Sequence, residues 1–149
     1  VARLDQAFPL ARFDCFFTIV YLTLDLRTRV LSYSNAGHVP PLLLRADGRL
    51  EALSEHGPVI GAGMGSPPGE AQRQLGPGDR VFLYTDGLVD HFGPEGERLG
   101  KDLLRGALER LRSRPLGEAV AEVFREAERL RGEVTPQDDM SLLALELEG

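Results

Sequence analysis

With 149 residues, 42% hydrophobic and 27% charged, the chain has enough apolar material for one domain with a buried core and is too short for two. No apolar run is long enough to cross a bilayer, so the chain carries no membrane-spanning segment. A formal net charge of −6 argues against nucleic acid as a partner, because a phosphate-binding surface needs a basic excess.

The N-terminal residues Val1-Ala2-Arg3-Leu4-Asp5 lack the charged-then-apolar pattern of a secretory leader, which makes the cytoplasm the expected compartment. The chain has no initiator Met and enters a core-like strand at Phe16, so it is expected to be a piece of a longer protein. The single cysteine, Cys15, excludes an internal disulfide, and its apolar neighbours Phe16 and Phe17 predict a reduced core residue. Phe16 to Leu24 is rich in β-branched and aromatic residues and predicts a largely buried strand. After the polar connector Asp25 to Arg29, Val30 to Ser34 alternates, which predicts an antiparallel hairpin. Pro41 to Arg45 predicts a third strand, Asp47-Gly48 a tight turn, and Leu50 to Leu53 the returning strand.

Ser54 to Gly69 is dense in glycine and proline and predicts a loop near a site. Within it Gly61-Ala62-Gly63-Met64-Gly65 has a superficial likeness to a phosphate cradle. It lacks a third glycine at the right spacing and no helix pattern follows, so a plain loop is the better reading. Gln72 to Leu75 predicts a short strand, and Gly76-Pro77-Gly78-Asp79 turns the chain into a strand from Arg80 to Thr85.

Two amphipathic helices follow. The first, Lys101 to Arg112, buries Leu103, Leu104, Ala107, Leu108 and Leu111. The second has Pro115 near its first turn, Ser113 as its N-cap and Gly132 as its stop, with Leu116, Ala119, Val120, Val123, Phe124, Ala127 and Leu130 on its apolar face. Its arginines alternate with Glu122, Glu126 and Glu128, the pattern of a solvated face. Met140 to Leu147 is apolar on both faces and predicts a strand inside the sheet. Strands, a helix pair and a final strand make an α+β domain with mostly antiparallel sheet, the helices covering one face.

Candidate chemistry collects at two strand ends. Asp86 closes an apolar strand and is followed by Gly87, which leaves the backbone open to close approach by a ligand. Asp-Gly is also a common turn, as at Asp47-Gly48, and both readings stand for Asp86 alone. Asp138 and Asp139 are adjacent carboxylates that repel unless a positive charge lies near, or else they are solvated acids in a turn. Taken together, the two groups point to a hard metal ion, which prefers oxygen ligands. His38 lies in the rigid turn Asn35-Ala36-Gly37-His38-Val39-Pro40-Pro41, as a proton donor or as a structural hydrogen-bonding residue. His56 and His91 have no partners at metal spacing, and three histidines with one cysteine make a zinc site a poor reading.

The segments Ser34-Asn35-Ala36-Gly37-His38 with Pro40 to Leu44, Pro77 to Leu88, and Pro136-Gln137-Asp138-Asp139-Met140-Ser141-Leu142 resemble, in order and spacing, the metal-dependent protein phosphatase (PPM) family. The SpoIIE/RsbU-type bacterial branch is the most similar, and the resemblance covers essentially the whole chain. It implies an α/β-β/α sandwich of antiparallel sheets flanked by helices, and two Mn²⁺ or Mg²⁺ ions held by aspartates. A water activated by the metals would hydrolyse phosphoserine or phosphothreonine on a regulatory protein. In relatives of this branch the phosphorylated partner is often an anti-anti-sigma-type regulator. Asp86 matches the family's Asp-Gly metal ligand and Asp138 its ligand near the C-terminus. Asp139 and the Gly87 backbone are further metal candidates, and Asn35 and His38 match a turn near the site.

The family's upstream Gly-Asp-x-x-Asp and Asp-x-Ser-Gly-His-Gly segments do not occur in these 149 residues. Residues 1–149 are therefore expected to be the C-terminal portion of one phosphatase domain, inactive or weak by themselves. The alternative is a non-catalytic module of the same fold that binds a regulatory partner.

Overall fold

A computed structural model describes residues 1–63, 69–90, 100–131 and 138–149. In chain order the elements are helices α1 (Ala2–Ala7) and α2 (Leu10–Phe13), then strands β1 (Ile19–Asp25), β2 (Val30–Ala36), β3 (Leu42–Leu44), β4 (Leu50–Ala52), β5 (Glu70–Gln74) and β6 (Arg80–Tyr84). Helices α3 (Gly100–Arg110) and α4 (Leu116–Arg131) and strand β7 (Leu142–Glu146) follow. They form two compact units, one of Val1–Pro40 with Leu53–Leu75 and one of Pro41–Ala52 with Gly76–Gly149.

The first unit holds an antiparallel sheet in the order β1-β2-β5. The expected hairpin forms, with Leu22 opposite Tyr33 and Leu24 opposite Leu31. Its turn is made by Asp25, whose carboxylate accepts the N–H groups of Arg27 (2.8 Å) and Thr28 (3.0 Å). Leu31, Tyr33 and Ala36 of the central strand are buried. The buried Tyr33 hydroxyl donates to the Glu55 carboxylate, which Arg73 also contacts at 2.8 Å.

Two expectations for this unit are corrected. The first strand begins at Ile19 and is only half-buried: among the described residues it pairs on one side only, and Phe16 and Tyr21 are 63% and 57% exposed. Cys15 is exposed rather than buried, because the chain leaves α2 through a left-handed Asp14 and joins the sheet region only where Phe17 bridges Ile60.

The second unit holds a sheet in the order β4-β3-β6-β7, all neighbours antiparallel, with α3 and α4 packed together and α4 against β7. The Asp47-Gly48 turn joins β3 to β4 as expected, with Gly48 at φ +94°. Leu42, Leu43, Leu44, Val81 and Phe82 from the strands and Leu104, Leu108, Ala119 and Val123 from the helices are buried.

Here too the sequence misleads twice. Among the described residues β7 is an edge strand, paired only with β6, and Leu143 is 63% exposed. Ser113 does not start α4. The Ala119 N–H donates to the Pro115 carbonyl (3.0 Å), which puts Pro115 in the cap position, and a residue preceding proline resists helical geometry. Gly132 lies outside the described residues.

The entry into β6 is pinned by Asp79, which is 4% exposed. Its carboxylate accepts N–H groups from Gly76 and Ala46 (both 2.9 Å) and the Arg45 guanidinium (3.0 Å). Burial pushes this carboxyl up, but those donors outweigh it and hold the group below its usual range. One residue on, Arg80 pairs with Glu146 of β7 at 2.9 Å and donates to the Arg114 carbonyl at 2.8 Å. A depressed folded pKa stabilises above the ordinary value of 3.8 and ceases to do so as pH falls through the folded value. Asp79→Ala is expected to cost about 2–3 kcal/mol at neutral pH by urea unfolding, and the gap to wild type should narrow below pH 3.8.

Candidate metal centre

Strand β6 carries the chain to Thr85, which is still extended at φ −88° and ψ 157°, and then into a single 3-10 turn, Asp86–Leu88. The turn is anchored by the buried side chains of Leu88 and Val89, and the Asp86 carbonyl accepts N–H groups from Val89 (2.8 Å) and Asp90 (2.7 Å). The Asp86 carboxylate is left exposed at the strand mouth, accepting the Gly87 N–H at 3.0 Å.

The second acidic segment lies directly against this turn. A Cβ added to Gly87 would stand 2.6 Å from the Asp139 carbonyl oxygen and 3.0 Å from that of Asp138, closer than real Cβ contacts come. Thr85 ties the same segment down, its N–H donating to the Ser141 carbonyl (3.1 Å) and its hydroxyl to the Asp139 carbonyl (2.8 Å). The Asp86-Gly87 and Asp138-Asp139 motifs, 52 positions apart from Asp86 to Asp138 in the chain, are therefore neighbours in space. Their donors are all oxygen, carboxylates at 86, 138 and 139 with backbone carbonyls beside them, which suits a hard divalent cation in kind. The set falls short in number: among the described residues no three His, Cys, Asp or Glu side chains gather closely enough to hold an ion. Sites for such cations take about six oxygens.

In the first unit, Asn35 is fully buried and acts as a clamp on its own turn. Its side-chain oxygen accepts the His38 N–H (2.9 Å) and its amide donates to the His38 carbonyl (3.0 Å). Both ends of the amide are thus occupied by backbone. The half-buried His38 ring meets the Thr18 hydroxyl, Nδ1 to Oγ1 at 3.0 Å. Gly37 between them sits at φ +68°, where a Cβ would meet Val59 Cγ1 at 2.3 Å.

His56 is exposed and its Nδ1 lies 2.8 Å from the Ser54 carbonyl, while His91 lies outside the described residues. The glycine stretch at 61–65 is described only to Gly63. The Gly61 N–H is already given to Asp5 (2.8 Å) and is not open to a phosphate.

The family model described as Stage II sporulation protein E (SpoIIE) matches residues 1–148. The chain belongs to the SpoIIE family. This SpoIIE-family chain is similar to the SiaA-PP2C domain of Pseudomonas aeruginosa at 23% identity and a TM-score of 0.82, over 97% of this chain and 58% of that one. It is also similar to the RsbU and RsbW domains of a Mycobacterium tuberculosis protein, at 29% identity and a TM-score of 0.71, over 88% of this chain and 36% of that one. A third similar structure is the Mn-presoaked phosphatase domain of the cell fate determinant SpoIIE from Bacillus subtilis, at 17% identity and a TM-score of 0.70. That match covers 89% of this chain and 56% of the other. The SpoIIE-family chain thus spans between about a third and three fifths of these relatives. Its antiparallel sheets and helices are those of a PP2C-type phosphatase domain, as the sequence resemblance implied.

Sequence reasoning marked the carboxylates of this region but not Thr85, whose hydroxyl links the two segments. The available signal was a hydroxyl residue between the apolar strand and Asp86. Gly87→Ala tests the close approach: it is expected to destabilise the SpoIIE-family chain by about 1–3 kcal/mol in urea unfolding, because a backbone carbonyl must move.

Proposed function

We propose that these 149 residues are the C-terminal portion of a metal-dependent protein serine/threonine phosphatase domain acting on a phosphorylated regulatory protein in the cytoplasm. The observation that carries this reading is the backbone contact that sets Asp86-Gly87 beside Asp138-Asp139 in a SpoIIE-family chain. The Mn-presoaked relative supports manganese or magnesium as the metal. The RsbU-type likeness supports an anti-anti-sigma-type phosphoprotein as the substrate.

On this reading Asp86 and Asp138 hold the metals from the protein side, with Asp139 and the Gly87 carbonyl as further oxygen donors. Bound divalent ions supply charge neutralisation at the phosphoryl oxygens and a water acidified toward neutral pH. The chain's own residues would set where such ions sit: the 3-10 turn presents Asp86 outward, and the bonds from Thr85 hold the Asp138-Asp139 backbone against it. Asn35 shapes the turn that carries His38. The missing Gly-Asp-x-x-Asp and Asp-x-Ser-Gly-His-Gly ligands come from chain outside these residues.

A second reading, a non-catalytic module that binds a regulatory partner, is favoured by the lack of a three-carboxylate cluster among the described residues. Turnover separates the two. With Mn²⁺ and a phosphoserine peptide, the isolated 149 residues should turn over at least about 100-fold more slowly than the intact parent protein. In the parent, Asp86→Asn or Asp138→Asn should cost a similar factor in kcat. Full turnover by the isolated chain would show that the centre needs no further ligands, and an inactive parent would favour the binding module.

A further inference from the structure

The strand ladder between β6 and β7 ends at Tyr84 opposite Leu142, and the next pair, Thr85 and Ser141, is bonded in an unusual way. The Thr85 N–H donates to the Ser141 carbonyl at 3.1 Å, as a ladder requires. The return bond does not go to the Thr85 carbonyl, which is taken at 3.1 Å by the Leu88 N–H of the 3-10 turn. The side chain replaces it: the Ser141 N–H donates to Thr85 Oγ1 at 2.9 Å, and that hydroxyl donates in turn to the Asp139 carbonyl at 2.8 Å. One hydroxyl thus accepts once and donates once, and both of its bonds go to the segment that carries Asp138 and Asp139.

We propose that Thr85 is a positioning residue of the metal centre: its hydroxyl latches the Asp138-Asp139 backbone onto the Asp86-Gly87 turn, so that the carboxylates of both segments face one ion. This rests on the metal-centre reading of the same segments given above. The latch is needed because the backbone cannot serve both purposes. To swing Asp86 outward the chain must turn at Thr85, and the turn consumes the carbonyl that would have continued the ladder. Without the hydroxyl the Ser141 N–H and the Asp139 carbonyl lose their partner at the point where Gly87 requires the closest backbone approach. The rest of the β6–β7 pairing, anchored by Arg80 and Glu146, does not pass through Thr85. Serine can make the same two bonds. Valine has the same shape and can make neither.

The test uses the 149-residue chain as wild type, Thr85→Val, Thr85→Ser and Asp86→Asn. Amide hydrogen exchange at Ser141 is followed together with the Mn²⁺ concentration that half-broadens the Gly87 and Asp139 amide signals. The latch predicts that Thr85→Val speeds Ser141 exchange about tenfold and raises the Mn²⁺ midpoint about tenfold, while Thr85→Ser stays within about twofold of wild type in both. The urea midpoint should barely move in either variant. Unchanged Ser141 exchange in Thr85→Val, an unchanged Mn²⁺ midpoint, or an equal loss in Thr85→Ser would each overturn the positioning role. If wild type and Asp86→Asn broaden at the same Mn²⁺ concentration, the metal reading itself fails, and the latch loses its function with it.

Discussion

The closest backbone approach in the candidate centre is made at Gly87. At Gly87 the turn after β6 comes so near the carbonyls of Asp138 and Asp139 that any side chain would strike backbone. That approach brings backbone from distant parts of the sequence together at one mouth of one sheet. Asp138 and Asp139 are adjacent in the sequence, and their backbone lies directly against the turn that carries Asp86.

The framework that enforces this approach is polar as well as apolar. Asp79 and Arg80, both largely buried, fix the start of β6 to the β3–β4 hairpin, to β7 and to the chain before α4. At the far end of the same short strand, Thr85 and Gly87 fix its exit. The strand is five residues long, so a shift at its start would carry directly to Asp86. Buried charge at one end and close backbone packing at the other together define where the carboxylate points.

Much of this was legible in the sequence because it is local. The Val30 to Ser34 alternation, the Asp47-Gly48 turn and the three-and-four spacing of Leu104, Ala107, Leu108, Ala119 and Val123 each report structure within a few residues. What misled was non-local. An apolar strand such as Leu142 to Glu146 reads as interior, yet it has one partner among the described residues, because periodicity says which faces are apolar and not how many strands lie alongside. Cys15 and Phe16 looked like core for the same reason, being apolar residues ahead of a strand that is itself an edge among the described residues. The helix start at Leu116 was obscured by a good capping residue at Ser113, overruled by the proline two positions later. In the site, Asp86 and Asp138 could be picked out as strand-end carboxylates. The bridging hydroxyl of Thr85 and the closed amide of Asn35 could not, since both depend on bonds formed only in three dimensions.

If the Asp86 turn and the Asp138-Asp139 segment share a divalent ion, anomalous diffraction from crystals of the chain soaked in Mn²⁺ will locate it between them. The expected result is an anomalous peak within coordination distance, about 2.0–2.3 Å, of oxygens from both Asp86 and Asp138. Well-ordered carboxylates with no peak between them, or manganese bound only elsewhere on the chain, would contradict it.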